Sequence, residues 1–391
     1  MLGAAKQTGA DIRTILAEKD LDSHGALWQE RLEAITAGDV ERALAEPLGF
    51  YSLQRLSALI CPAAEDYLEE MAQAAHELTV QRFGRTIKLY APLYLSNYCT
   101  NACMYCGFNR ENAIERTRLS IDQAVEEAII VASEGFRELL LVSGEDRQFV
   151  TVDYLVELTQ QLRDKFSTIS IEIYQMNTAE YARLFEAGID GVTLYQETYD
   201  CDAYGYYHLA GPKSDYDRRL SAPDSIAAAG MREVGLGVLL GLTDWRVETL
   251  ALAEHAHHII KHYWQSHVSF SFPRLRPAYK VQGTQFSAFT DRNLVQMMTA
   301  LRLCFADVGM VLSTRERAAL RDNLIALGVT KLSAGSRTSP GGYSGRTDAT
   351  GQFEIDDNRS PAEVAAMIKQ RGFEPVWKDW DKAFQDPRFQ T

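Results

Sequence analysis

Apolar and polar positions follow two alternating rhythms along most of the chain. One rhythm is a short run that is almost continuously apolar or alternates with a period of two: TIKLYAPLYL from residue 86, RELLLVS from 137, TISIEIY from 168, DGVTLYQE from 190, VGLGVLLGL from 234, HVSFSF from 267, MVLSTRE from 310 and VTKLSAGS from 329. Such runs predict strands, and the continuously apolar ones predict strands covered on both faces. The other rhythm has a period near 3.6. Ser120 and Gln123 form a capping box for a helix whose stripe is Val125, Ala128, Ile129 and Ala132, ending at Gly135. Leu155, Leu158 and Leu162 line the next helix, and Leu252, Ala256, Ile259 and Tyr263 a long one over about residues 246–264.

Strand and helix alternate about eight times over some 250 residues, the length and rhythm of a (β/α)8 TIM-type barrel; a doubly wound sheet is the weaker alternative. Residues 1–85 read as an N-terminal helical extension, with Leu68, Met71, Ala75 and Leu78 on one helix face and Gly84 as its stop. Residues 86–336 form the barrel. Residues 337–391 read as a C-terminal tail that packs on it, from the Gly/Ser/Pro-rich SRTSPGGYSG to the aromatic PVWKDWDKAF.

Composition narrows the partners. The 391 residues are 46% hydrophobic, enough for a full core, and carry a formal net charge of -13. That acidic balance argues against a phosphate-tracking nucleic-acid binder and against an acidic membrane surface as partner. The N-terminal stretch shows no secretory pattern, and no apolar run reaches bilayer length. The expectation is a cytoplasmic protein with reduced thiols, in which Cys61, Cys201 and Cys304 are small core or subsurface residues.

The other three cysteines are the informative ones. CTNACMYC sets Cys99, Cys103 and Cys106 at spacings of three and two, directly after the first strand, on the rim where barrel enzymes keep their reactive groups. Clustered thiolates serve tetrahedral zinc or iron–sulfur clusters. Structural zinc takes four ligands, so a zinc site in a non-catalytic module would have to recruit His208 or another distant group. A [4Fe-4S] cluster can leave one iron open to bind a substrate or cofactor. His255, His258 and His262 also share one helix face, pointing away from the apolar stripe, and read as a solvated surface patch.

The three-and-two spacing with the aromatic Tyr105 before the last cysteine resembles the radical S-adenosylmethionine (SAM) superfamily. That resemblance implies a [4Fe-4S] cluster whose open iron chelates SAM, and a 5′-deoxyadenosyl radical made by one-electron cleavage. It implies that Ser143 and Glu145, at the end of the second strand, hold the SAM amino group. It further implies that Glu172 in the third strand meets the ribose and that backbone near Leu239 touches adenine. PLYLSNYCTNACMYCGF, LLLVSGE, DGVTLYQETY, HYWQSHVSFSFPRLRP, LSTRE, PGGY and PVWKDWD together resemble the tyrosine lyase, or 2-iminoacetate synthase, family. This implies cleavage of the Cα–Cβ bond of L-tyrosine to 2-iminoacetate and 4-cresol, with SAM consumed to methionine and 5′-deoxyadenosine. The partners implied are thiazole synthase in thiamine biosynthesis and an electron donor such as flavodoxin or ferredoxin. Arg315 is implied as the substrate-carboxylate clamp, suited by its planar fork, with Ser333 as a second ligand and Arg274 or Arg276 meeting a further ligand carboxylate. Tyr98, Glu197 and Tyr279 are candidates for the phenol-side base. Tryptophan lyases and hydrogenase-maturation tyrosine lyases are the nearby alternatives. The latter carry a second cluster on C-terminal cysteines, whereas the last cysteine here is Cys304.

Overall fold

The computed structural model describes residues 10–23, 25–281, 287–346 and 348–378. Eight strands run parallel in chain order: β1 (Thr86–Ser96), β2 (Glu138–Ser143), β3 (Thr168–Glu172), β4 (Gly191–Thr193), β5 (Glu233–Gly237), β6 (His267–Ser271), β7 (Gly309–Leu312) and β8 (Lys331–Ser333). β1 pairs with both β2 and β8, so the sheet closes on itself. The expected (β/α)8 barrel is present, and the closing pair rules out an open doubly wound sheet. A short ninth strand, β9 (Glu374–Val376), runs parallel to Thr86–Lys88 at the start of β1.

The pleat of each strand sorts its residues. Along β1, Ile87, Leu89, Ala91, Leu93 and Leu95 lie in the hydrophobic core under the outer helices, while Tyr90, Pro92 and Tyr94 point into the barrel. In β3, Ile169 and Ile171 face the core, and Ser170 and Glu172 face inward. Period two therefore carries the acid Glu172 to the interior without any special backbone.

Two helical expectations need correction. The helix Ile121–Ser133 has the Ser120–Gln123 capping box, but its buried side is Ala124, Glu127, Ala128 and Val131, and Ile129 is 46% exposed. Alanines let the helix sit close to the barrel. Glu127 is buried because it accepts the Tyr343 and Ser344 N–H groups of the C-terminal segment at 2.9 and 3.0 Å. The long helix, Trp245–His262, is covered on its outer side by N-terminal helices such as Ile12–Glu18. His255 and His258 are consequently buried rather than a solvated patch.

The N-terminal helices between Ile12 and Phe83 share one continuous core with the barrel, and Leu68–Phe83 packs on Asp291–Cys304. After β8 the chain returns across the barrel mouth, forms the helix Pro361–Gln370 and ends in β9, beyond which Trp377 packs against Phe136. The end of the aromatic stretch PVWKDWDKAF lies outside the described residues. Among the described residues no helix is long and apolar enough to cross a membrane.

Candidate active site

The loop after β1 is held as a rigid shelf. Arg116 donates to the carbonyls of Asn97, Phe108, Asn109 and Asn112. The Ala102 and Met104 N–H groups bond Ala210 and Tyr207 at 2.9 and 3.0 Å. Cys99, Cys103 and Cys106 project from this shelf as free thiols, and all three line one cavity at the strand ends, which encloses about 970 Å³ of space open to solvent. Burial pushes the Cys106 thiol up to about 11 and Cys103 well up as well. At neutral pH both are protonated, so binding a metal group there must release protons.

Three thiols on one loop with no fourth ligand beside them among the described residues fit a [4Fe-4S] cluster that keeps one iron open, whereas structural zinc takes four ligands. His208, the candidate fourth ligand, is committed elsewhere. Its Nδ1 meets the Tyr204 carbonyl at 2.8 Å and its Nε2 the Tyr105 hydroxyl at 2.7 Å. A carbonyl only accepts, so Nδ1 carries the proton and Nε2 accepts from Tyr105. Burial lowers the His208 pKa to about 3, which keeps this neutral tautomer. N–H groups instead approach Cys99: the Glu145 N–H lies 3.4 Å and Asn101 Nδ2 3.7 Å from its Sγ.

The predicted SAM residues share this cavity. Ser143 at the end of β2, with Gly144 and Glu145 after it, forms the wall of the cavity with Tyr105, Glu172 and Leu239. A Cβ on Gly144 would fall 2.3 Å from the Tyr98 carbonyl, so only glycine lets the two rim loops touch. Glu145 is buried and accepts from Asn101 Nδ2 and Arg147 Nε, both at 2.8 Å. Burial raises the Glu172 pKa, against the nearby Arg315 charge and a hydrogen bond from Tyr195. Glu197 lines the same wall in a left-handed conformation, φ 73°, costly for a residue with a side chain. Its carboxylate pairs with Lys213 Nζ at 2.6 Å. Burial alone would raise its pKa, but Lys213 and Arg219 more than offset that and bring it below the ordinary value. Of the three phenol-side candidates only Glu197 faces this space; Tyr98 and Tyr279 line neither this cavity nor the deeper one.

The deeper cavity adjoins the first through Glu172, Tyr195 and Arg315, and brings in Ser333, Tyr90 and Tyr94. The Arg315 Cζ lies over Phe353, 3.4 Å from the ring centroid; the guanidinium donates to the Arg274 carbonyl at 3.4 Å and makes no ion pair among the described residues. Its neighbour Glu316 is instead clamped by Arg274. Ser333 accepts the Thr314 N–H at 3.1 Å and also hydrogen-bonds the Tyr90 hydroxyl. Arg274 holds Glu316 and Asp291, while Arg276 lines the first cavity and pairs with Asp356. These acids sit close by only because distant segments converge.

Sequence reasoning missed Asn101, Lys213, Arg219, Tyr195, Gln352 and Phe353, which all line the first cavity. Asn101 stood inside the cysteine run and could have been singled out. Gln352 and Phe353 carry no local signal, since they arrive on the returning C-terminal segment.

Known proteins resemble this chain closely. Residues 93–253 match the radical SAM superfamily and residues 271–374 the Biotin and Thiamin Synthesis associated domain. The chain is 44% identical over 354 residues to the 2-iminoacetate synthase of Escherichia coli (strain K12), covering 90% of this chain and 93% of that protein. The FeFe-hydrogenase maturase HydG from Carboxydothermus hydrogenoformans superposes with a TM-score of 0.83 at 31% identity, covering 98% of this chain and 88% of that one. Methylornithine synthase (PylB) shares the fold, with a TM-score of 0.68 at 22% identity over 86% of this chain and 97% of its own.

Proposed function

The chain belongs to the 2-iminoacetate synthase family of radical SAM lyases, and from that premise we propose how its own residues divide the cleavage of L-tyrosine to 2-iminoacetate and 4-cresol. Cys99, Cys103 and Cys106 hold the [4Fe-4S] cluster, and SAM lies against Ser143, Glu145, Glu172 and Tyr105. The cluster and SAM, when bound, supply a 5′-deoxyadenosyl radical able to take hydrogen from the tyrosine amine.

Arg315 grips the tyrosine carboxylate with its two-pronged guanidinium, and Ser333 adds a hydroxyl donor. Phe353 stacked beneath the guanidinium keeps the fork in one plane. Tyr90, Tyr94 and Tyr195 wall the deeper cavity and keep bulk water from the reacting amine. Glu145, already bonded to Asn101 and Arg147, is a fixed acceptor for the amino group of SAM. Glu172, between the two cavities, accepts from the ribose. Glu197, held anionic by Lys213, is the phenol-side acceptor.

The observation that carries this reading is the state of Arg315: a buried-site guanidinium beside the thiol cavity, stacked on an aromatic ring and without a carboxylate partner among the described residues. The reading also carries a cytoplasmic location, an electron donor such as flavodoxin or ferredoxin, and transfer of the imine to thiazole synthase. Anaerobic incubation with SAM, dithionite and tyrosine tests it. 4-Cresol and 5′-deoxyadenosine in equal amounts are expected, and 5′-deoxyadenosine without any tyrosine-dependent cresol would sink it.

A further inference from the structure

We infer that Gln352, on the returning C-terminal segment, is a positioning residue for the cysteine loop: its side-chain amide donates to the Cys106 sulfur, and the Tyr94 hydroxyl fixes which end of that amide faces the sulfur. The inference rests on Cys99, Cys103 and Cys106 being the seat of the iron–sulfur cluster.

Gln352 stands 246 positions after Cys106, yet its Nε2 lies 3.9 Å from Cys106 Sγ. The other end of the amide is occupied, because the Tyr94 hydroxyl donates to Gln352 Oε1 at 2.8 Å. A bound hydroxyl proton selects the amide oxygen, which turns the nitrogen toward the sulfur; the orientation follows from the hydrogen-bond network. The backbone is pinned at the same place. The Gly107 N–H, next to the last cysteine, donates to the Gln352 carbonyl at 3.1 Å, and the Gln352 N–H donates to Thr338 at 3.0 Å. A Cβ on Gly107 would fall 2.7 Å from the Gln352 oxygen, so the glycine is what lets the two segments meet.

Cys99 takes its N–H groups from Glu145 and Asn101, on the neighbouring rim loop and on its own loop. Cys106 takes one from a segment that local folding of the cysteine loop cannot supply. The next residue, Phe353, lies under Arg315, so one dipeptide touches a cluster ligand and the substrate clamp together. An N–H aimed at a cluster sulfur stabilises the more negative, reduced state and raises the reduction potential.

The test uses the full chain, reconstituted anaerobically with iron and sulfide, and reads the cluster midpoint by EPR-monitored titration without SAM. Gln352→Leu is expected to load a full cluster whose midpoint is lower. At the wild-type midpoint its reduced-to-oxidised ratio should fall about tenfold, or about 59 mV for one electron. Tyr94→Phe should shift the midpoint the same way by less, and the double variant should go no lower than Gln352→Leu alone. Unchanged midpoints in both single variants, or additive shifts in the double, overturn the inference. If Gln352→Leu fails to fold or to load, Tyr94→Phe decides alone: a lowered midpoint supports the inference and an unchanged one overturns it. Failure of the unaltered chain to assemble a four-iron cluster would sink the reading of the loop itself, a result distinct from a loaded cluster with unmoved potential.

Discussion

The cysteine loop and the histidine helix look alike in the sequence. Each offers three metal-capable side chains at close spacing: Cys99, Cys103 and Cys106 on one, His255, His258 and His262 on the other. In the fold they have opposite fates. The thiols open on a shared cavity with N–H groups turned toward them. The histidines are consumed by their surroundings. His255 meets the Tyr199 hydroxyl at 2.9 Å, His258 meets Asp224 at 2.8 Å, and His262 meets a carbonyl of its own helix at 2.9 Å. The second ring nitrogens of His255 and His258 are buried without a partner among the described residues. Ligand type and spacing therefore do not make a site; an open face does. Packing of the N-terminal helices against Trp245–His262 closes one face, whereas the thiols line a cavity open to solvent.

The sharpest way to break this contrast is to remove the thiols. Cys99→Ala, Cys103→Ala or Cys106→Ala should each abolish cluster assembly and 5′-deoxyadenosine formation, read by iron content and product chromatography. One such variant with normal turnover would end the distinction. Next in size is Arg315→Ala. Loss of a charge-assisted pair worth about 3 kcal/mol predicts a fall of roughly 100-fold in kcat/KM for tyrosine, with SAM binding retained by equilibrium dialysis. Loss of SAM binding instead would reassign Arg315 to the cofactor.

The histidine side is tested by pH. Burial depresses the His255 pKa to about 4, opposed by Asp224 and aided to a smaller extent by His258. The folded state keeps this imidazole neutral, whereas the unfolded chain protonates it near its ordinary value of about 6.5. Stability from this group is therefore full above that value and is lost as pH falls toward 4. At pH 5 the loss is about 2 kcal/mol, from ~1.4 kcal/mol per pH unit. Chemical denaturation of His255→Asn at pH 7 and pH 5 should lack that increment. An equal acid sensitivity in both proteins would show that the helix face is wetter than its packing indicates. The smallest effect is expected at the remaining thiols. Cys304 and Cys61 are wholly buried in the core, and Cys304→Ser or Cys61→Ser should cost about 1 kcal/mol and leave iron content unchanged.

Particular residues show how far the sequence could be read. β1 to β8 were legible because each is a run whose outward face must be apolar under a helix; Ile87, Leu89 and Ala91 obey that rule by chain position alone. The cysteine loop was legible because its spacing is local and follows a strand end. The helix stripe at 121–133 was set one position off, since a hydrophobicity pattern ranks Ile129 above Ala124 while close packing prefers the smaller side chain. The histidines were misread because the pattern cannot show that a second layer of helices covers the outer face. The ion-pair partners of Arg274 were hidden for a similar reason: Glu316 and Asp291 reach it only across the barrel rim.

By itself, then, the sequence determined the closed barrel, the three-thiol shelf and the inward placement of Glu172. These depend on strand period, helix period and spacing within a few residues, all enforced by short-range backbone geometry. Only the tertiary structure decided which charges would cancel one another, which would stay open, and that Gln352 and Phe353 would come back to the mouth beside Cys106 and Arg315. Those outcomes turn on contacts between segments from tens to a few hundred residues apart, where packing of whole elements selects the neighbours and local pattern has no leverage.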